Sequence, residues 1–98
     1  MIFHFKKNYM KHVLKAITLD EVYLDGERLT PGESQKIINH SPDGFQWGYG
    51  GSGPSQLALA VFVKLTGKPG AYQKFKWDVI AKQKMGQPFE VEFELDDE

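Results

Sequence analysis

Gly44-Phe45-Gln46-Trp47-Gly48-Tyr49-Gly50-Gly51-Ser52-Gly53-Pro54 divides the chain into two halves with different periodicities. Upstream, short apolar runs alternate with turn residues. Downstream, apolar residues recur at helical spacing. Pro54 fits a first helical position, where its missing N–H costs nothing, and Ser52 or Gly53 fits the cap. The fold class is therefore decided by the segments on either side of this loop.

On the N-terminal side, Lys11 to Leu19 has either a helical face (Tyr9, Met10, Val13, Leu14, Ile17) or the strand composition of Ala16-Ile17-Thr18-Leu19. The next residues favour strand. Val22-Tyr23-Leu24 alternates, Asp25-Gly26 is a two-residue hairpin signal, and Glu27-Arg28-Leu29 returns. Pro31-Gly32 suits a type II turn, and Gln35 to Asn39, centred on Ile37 and Ile38, reads as a further short strand.

On the C-terminal side, residues 54–65 read as a helix. From Leu57 to Leu65 only Lys64 is polar, so this helix must be buried or covered by a partner. Thr66-Gly67-Lys68-Pro69-Gly70 ends it. Residues 71–84 read as a second helix, with Tyr72, Phe75 and Val79 as the buried stripe and Lys74–Asp78 as an exposed i,i+4 pair. After Gly86-Gln87-Pro88 the period changes to two. Phe89, Val91, Phe93 and Leu95 alternate with Glu90, Glu92 and Glu94, a strand with one buried and one acidic face, antiparallel to an earlier strand.

Strands first and helices later predict an α+β fold, a small, mostly antiparallel β-sheet packed against two helices in a single domain. The domain is expected over 11–95, with 1–10 a loosely ordered leader and 96–98 an acidic tail. The apolar helix predicts full burial between the sheet and the second helix, or else a homodimer.

Composition narrows the function classes. Of the 98 residues, 41% are hydrophobic and 26% charged, which is ordinary for a folded domain. The net charge of −1 supplies no bulk attraction for nucleic acid or an anionic membrane. The longest apolar run, Leu57 to Val63, is far short of the roughly 18–20 residues that span a bilayer. There is no cysteine, hence no disulfide or thiol nucleophile, which fits a cytoplasmic setting. Charge is segregated: residues 1–19 hold four Lys and no acid, 64–84 hold six Lys and one Asp, and 88–98 hold six acids and no base. Pairing of the acidic end with a basic segment within the fold is the preferred reading.

The run Asn39-His40-Ser41-Pro42-Asp43-Gly44-Phe45-Gln46-Trp47-Gly48-Tyr49-Gly50-Gly51-Ser52-Gly53-Pro54-Ser55-Gln56-Leu57-Ala58-Leu59-Ala60 resembles the signature of an uncharacterised family of small bacterial and phage proteins. That signature is Asn-His-Ser-Pro-x-Gly-Phe-x-Trp-Gly-Tyr-Gly-Gly-Ser-Gly-Pro-x-Gln-Leu-Ala-Leu-Ala. Tyr72-Gln73, Phe75-Lys76 and Val79-Ile80-Ala81 look like its second motif, and the likeness covers roughly residues 20–95. The resemblance implies a fold unit and a phage or mobile-element setting, and no reaction.

Gly48-x-Gly50-x-x-Gly53 formally matches a dinucleotide fingerprint, and His40, Gly50, Gly51, Ser52, Ser55 and Gln56 would line an anion or nucleotide site there. A βαβ context and a ribose-binding acid are missing, so glycines that serve a structural loop, with at least one at positive φ, are preferred. His40, Ser41 and Asp43 are adjacent turn residues and give no catalytic geometry. His4, His12 and His40 lack metal-ligand spacing, so neither metal nor cofactor is expected. Glu90, Glu92 and Glu94 read best as a solvated, Lys-paired strand face. Trp47, Tyr49 and Trp77, with Lys74 and Lys84, are the candidates for a partner-binding surface, set against the preferred reading that Trp47 packs into the core and a half-buried Trp77 covers a helix. The preferred function is a non-enzymatic accessory or binding module that engages a protein; the alternative is a small nucleotide- or phosphate-binding protein or enzyme using residues 48–56.

Overall fold

A computed structural model describes residues 11–95, so the leader expected at 1–10 and the tail at 96–98 lie outside the described residues. Four strands, β1 (Lys11–Thr18), β2 (Glu21–Leu24), β3 (Glu27–Leu29) and β4 (Phe89–Glu94), form one antiparallel sheet in the order β3-β2-β1-β4. Three helices, α1 (Gly32–Ile37), α2 (Ser52–Thr66) and α3 (Tyr72–Phe75), complete the α+β domain, and α3 runs on into a π-helical turn at Lys76–Ile80.

The hairpin between β2 and β3 turns on Asp25 and Gly26, both at positive φ (53° and 84°), as an Asp-Gly type I′ turn requires. The Asp25 carboxylate reaches back across β1. It accepts the Val13 N–H at 2.8 Å and meets Nδ1 of the buried His12 at 2.7 Å. Burial pulls the Asp25 pKa up, but the His12 hydrogen bond, the Val13 N–H and the charge attraction of His12 together hold it below the ordinary aspartate value.

Alternation decides which sheet face is dry. His12, Leu14 and Ala16 of β1, Val22 and Leu24 of β2, and Phe93 of β4 are buried, whereas Lys11, Lys15, Glu90, Glu92 and Glu94 are exposed. The register sets Lys15 opposite Glu90 and Lys11 opposite Glu94, and Lys11 Nζ lies 3.9 Å from Glu92. The acidic strand face is thus flanked by β1 lysines.

α2 is the centre of the domain. Every residue from Gly53 to Phe62 is buried, so the chain covers its own apolar helix. Edge-on and tilted ring pairs, Phe62–Phe75 at 5.7 Å, Phe75–Phe93 at 4.8 Å and Trp47–Phe89 at 5.2 Å, link helices and loop to β4. At the far end the helix closes on Gly67 (φ 78°), whose N–H donates to the Val63 carbonyl at 2.9 Å.

Four local expectations are corrected. Gln35 to Asn39 is not a strand: Gly32–Ile37 is helical, Ser34 Oγ donates to the Pro31 carbonyl at 2.8 Å, and Ile37 and Ile38 stay exposed. Pro31-Gly32 is not a type II turn: Pro31 has ψ −14° and is the residue from which α1 starts. α2 begins two residues earlier than read, capped by the Gly51 backbone with no side-chain cap, so Pro54 stands third and still spares an N–H with no intrahelical partner. The helix expected at 71–84 is regular only to Phe75. Ala81 N–H bonds the Lys76 carbonyl at 2.8 Å, a π-type step, and residues 81–88 are turns and coil.

Candidate functional site

The first residues of the loop from Ile38 to Gly51 are gathered by one buried side chain, Gln56. Gln56 sits on an otherwise apolar stretch of α2 and is completely buried. Its Nε2 donates to Ser34 Oγ at 2.8 Å and to the Ile38 carbonyl at 3.1 Å, while its Oε1 accepts the backbone N–H groups of His40 at 2.8 Å and Ser41 at 3.0 Å. Those four bonds use the whole capacity of a carboxamide. Gln35 Nε2 adds a bond to the Ser41 carbonyl at 2.8 Å. His40 Nε2 lies 2.8 Å from the Tyr72 hydroxyl, tying the loop to α3. Among the described residues no buried side-chain nitrogen or oxygen lacks a partner.

Further on, Phe45 and Trp47 enter the core. Trp47 is completely buried, and its indole N–H donates to the Gln87 carbonyl at 2.8 Å. Gly48 then takes φ +91° and donates its N–H to the Ile80 carbonyl at 3.1 Å. A Cβ on Gly48 would stand 2.4 Å from the Met85 backbone. The expectation of a positive-φ glycine is met here alone among Gly48, Gly50, Gly51 and Gly53.

The remaining glycines serve close approach. A Cβ on Gly50 would fall 2.0 Å from the Trp77 ring, on Gly51 2.4 Å from the Tyr49 ring, and on Gly53 2.4 Å from Gln46 Cβ. Trp77 therefore lies on Gly50, and Tyr49 on Gly51. Lys76, itself buried, donates to the Gly50 carbonyl at 3.4 Å and holds its ammonium 4.4 Å from the Trp77 ring centre. Trp77 nonetheless remains 56% exposed and Met85 63%, with Tyr49 also exposed.

The residues named from sequence thus separate into two groups. Tyr49 and Trp77 meet at the Gly50-Gly51 pair, and Lys84 is exposed next to Met85. Trp47 is in the core, and Lys74 is ion-paired with Asp78, whose carboxyl is held below its ordinary value mainly by that Lys74 bond. Of the anion-site residues, Ser55 and Gln56 are buried, Gln56 is saturated, and His40 is engaged by Tyr72, leaving Gly50, Gly51 and the exposed Ser52 at the helix start. No group of three or more His, Asp or Glu side chains converges among the described residues. Sequence reasoning missed Met85 and the Ser34–Gln56 bond, and it placed Lys76 only among the lysines interleaved with aromatics, without its contact to Gly50. A lone amide among the apolar residues of α2 was the available signal, because a buried carboxamide must find partners.

The chain belongs to a family of unknown function, DUF6166, whose model matches residues 11–96. No curated protein and no solved structure matches it.

Proposed function

We propose that this DUF6166 member is a non-enzymatic accessory module that binds a protein partner through the aromatic rim of its glycine loop: Tyr49, Trp77 and Met85, with Lys84 at the border. The observation that carries this reading is Trp77. A 56%-exposed indole rests on a glycine and under a buried lysine, on a loop fixed from inside by Gln56. A large aromatic held rigid at the surface loses little freedom on binding and contributes much contact area, as at binding hot spots. The motif's likeness to bacterial and phage proteins supports a phage or mobile-element origin, and the lack of cysteine a cytoplasmic setting.

The phosphate-binding alternative has less support. With Ser55 and Gln56 committed inside the protein, the start of α2 offers a ligand only Ser52 and glycine backbone. The deciding experiment compares the parent chain with Trp77→Ala and Tyr49→Ala in affinity capture from a native host, beside thermal melts with phosphate and a nucleotide panel. Both variants should keep the parent's melting temperature and lose the captured protein. A nucleotide-induced rise in melting temperature, with capture unaffected by either substitution, would reverse the assignment.

A further inference from the structure

On the opposite flank of α3 lies a second surface, independent of the aromatic rim. Lys76 and Trp77 turn toward Gly50, whereas Phe75, Asp78 and Val79 line a groove of about 340 Å³ shared with Phe62, Phe93 and Leu95. The groove runs beside the C-terminal half of β4, an edge strand whose strand neighbour among the described residues is β1.

Backbone polarity on that edge is set by the ladder. The Val13 carbonyl accepts the Asp25 N–H, and the Val13 N–H goes to the Asp25 carboxylate, so the Val13 backbone faces β2. Alternation turns the backbones of His12, Leu14 and Ala16 toward β4, where their partners are Phe93, Val91 and Phe89. The N–H and C=O groups of Glu90, Glu92 and Glu94 consequently point away from the sheet.

We propose that this edge and groove bind an extended segment of a partner protein in which Lys or Arg alternates with aliphatic residues, added to the sheet as a fifth strand. An added strand places alternate side chains on the two faces that β4 already defines. On the open face they would stand beside Glu90, Glu92 and Glu94, where basic residues fit, as Lys11 does toward Glu92 from the other side. On the helix face they would drop onto Phe93, Leu95, Phe75 and Val79, where aliphatic residues fit. A second copy is disfavoured as the occupant, because pairing β4 with β4 sets glutamate against glutamate.

The test uses the full chain and two blocked synthetic peptides of about ten residues, long enough for one strand, alternating valine with lysine or valine with glutamate. Amide hydrogen exchange is read residue by residue. The lysine peptide should slow the Glu90, Glu92 and Glu94 amides by about tenfold or more, the signature of a new backbone bond. The glutamate peptide should leave them unchanged, and Glu92→Lys should shift the preference toward the glutamate peptide. Trp77→Ala should bind the lysine peptide like the parent, which separates this surface from the aromatic rim. Binding of the lysine peptide without amide protection would overturn the proposal in favour of charge adhesion. Protection already present in the free chain would overturn it too, assigning the edge to this chain's own ends if the protein sediments as a monomer and to a second copy if it sediments as a dimer.

Discussion

The two tryptophans, Trp47 and Trp77, both touch the glycine loop and have opposite fates. Trp47 is 0% exposed, its N–H bonded to Gln87 and its ring set edge-on against Phe89. Trp77 is 56% exposed and rests on Gly50. The loop that leads to Trp47 is fastened at its start by Gln56, through Ile38, His40 and Ser41, and at Trp47 itself by the bond to Gln87 and the neighbouring Gly48 N–H to the Ile80 carbonyl. The segment around Trp77 is a π-helical turn, where one additional residue per turn rotates the side chains relative to a regular helix. The contrast separates two jobs within one motif: residues 38–48 specify where the loop sits, and Tyr49 through Gly51, with Trp77, specify what it presents.

The largest expected effect breaks the pinned side. Gln56→Leu keeps the volume and removes four hydrogen bonds, leaving the His40 and Ser41 N–H groups and the Ile38 carbonyl without their buried partner. A loss of about 3–5 kcal/mol is expected in urea unfolding, since each buried group left unpaired costs about 1–3 kcal/mol. A loss below about 1 kcal/mol would show that water replaces the amide and that the loop is not held as described.

Gly48→Val and Gly50→Val sharpen the comparison. Gly48 combines positive φ with a collision against the Met85 backbone, so its substitution should cost about 2–4 kcal/mol. Gly50 has no such backbone demand, and the nearest atoms to its added Cβ are the outer edge of the half-exposed Trp77 ring, which would be displaced from its seat without moving backbone. That variant should lose about 1 kcal/mol or less while disturbing the exposed rim. Equal melting temperatures for the two variants would refute the division of labour.

Trp47→Phe should cost about 1–2 kcal/mol through the lost bond to Gln87 and the smaller ring. Trp77→Phe should change stability by less than about 0.5 kcal/mol. Fluorescence of the two single-tryptophan proteins reports the same contrast: the Trp47 emission should be blue-shifted and shielded from quencher, and the Trp77 emission red-shifted and quenched.

A smaller effect lies outside both regions, at the hairpin. The Asp25 pKa is depressed in the folded state, so its stabilising contribution is present above the unfolded value of about 3.9 and is lost as pH falls through the folded value. Asp25→Asn should cost about 0.5–1 kcal/mol at pH 7, limited by solvent screening of a partly exposed carboxylate. Parent and variant should converge as pH drops below about 4. A constant gap down to pH 2 would assign the effect to turn geometry instead of charge.

Some elements were legible along the chain. Asp25-Gly26 admits few conformations other than a tight hairpin, strict alternation from Phe89 to Leu95 buries one face of a strand, and a helix apolar from Leu57 to Val63 has to be interior. These are local constraints, set by backbone sterics or by a period that a single element must satisfy. Other features were decided only by the assembled structure. Gln35 to Asn39 has strand composition, yet its first residues are helical, because the preceding Ser34 bonds back to Pro31 and receives Gln56 from twenty-two positions away. The sequence places Trp47 in the core and Trp77 off the buried stripe of its helix, but what stands opposite each came only from the assembled structure: Phe89 and the Gln87 carbonyl for one, a bare glycine and a lysine for the other. Hydrophobicity makes either ring welcome in a core, but the domain encloses only the volume that its layers surround. Which aromatic fills that volume, and which is left at the surface, is a property of the packing and not of the residue.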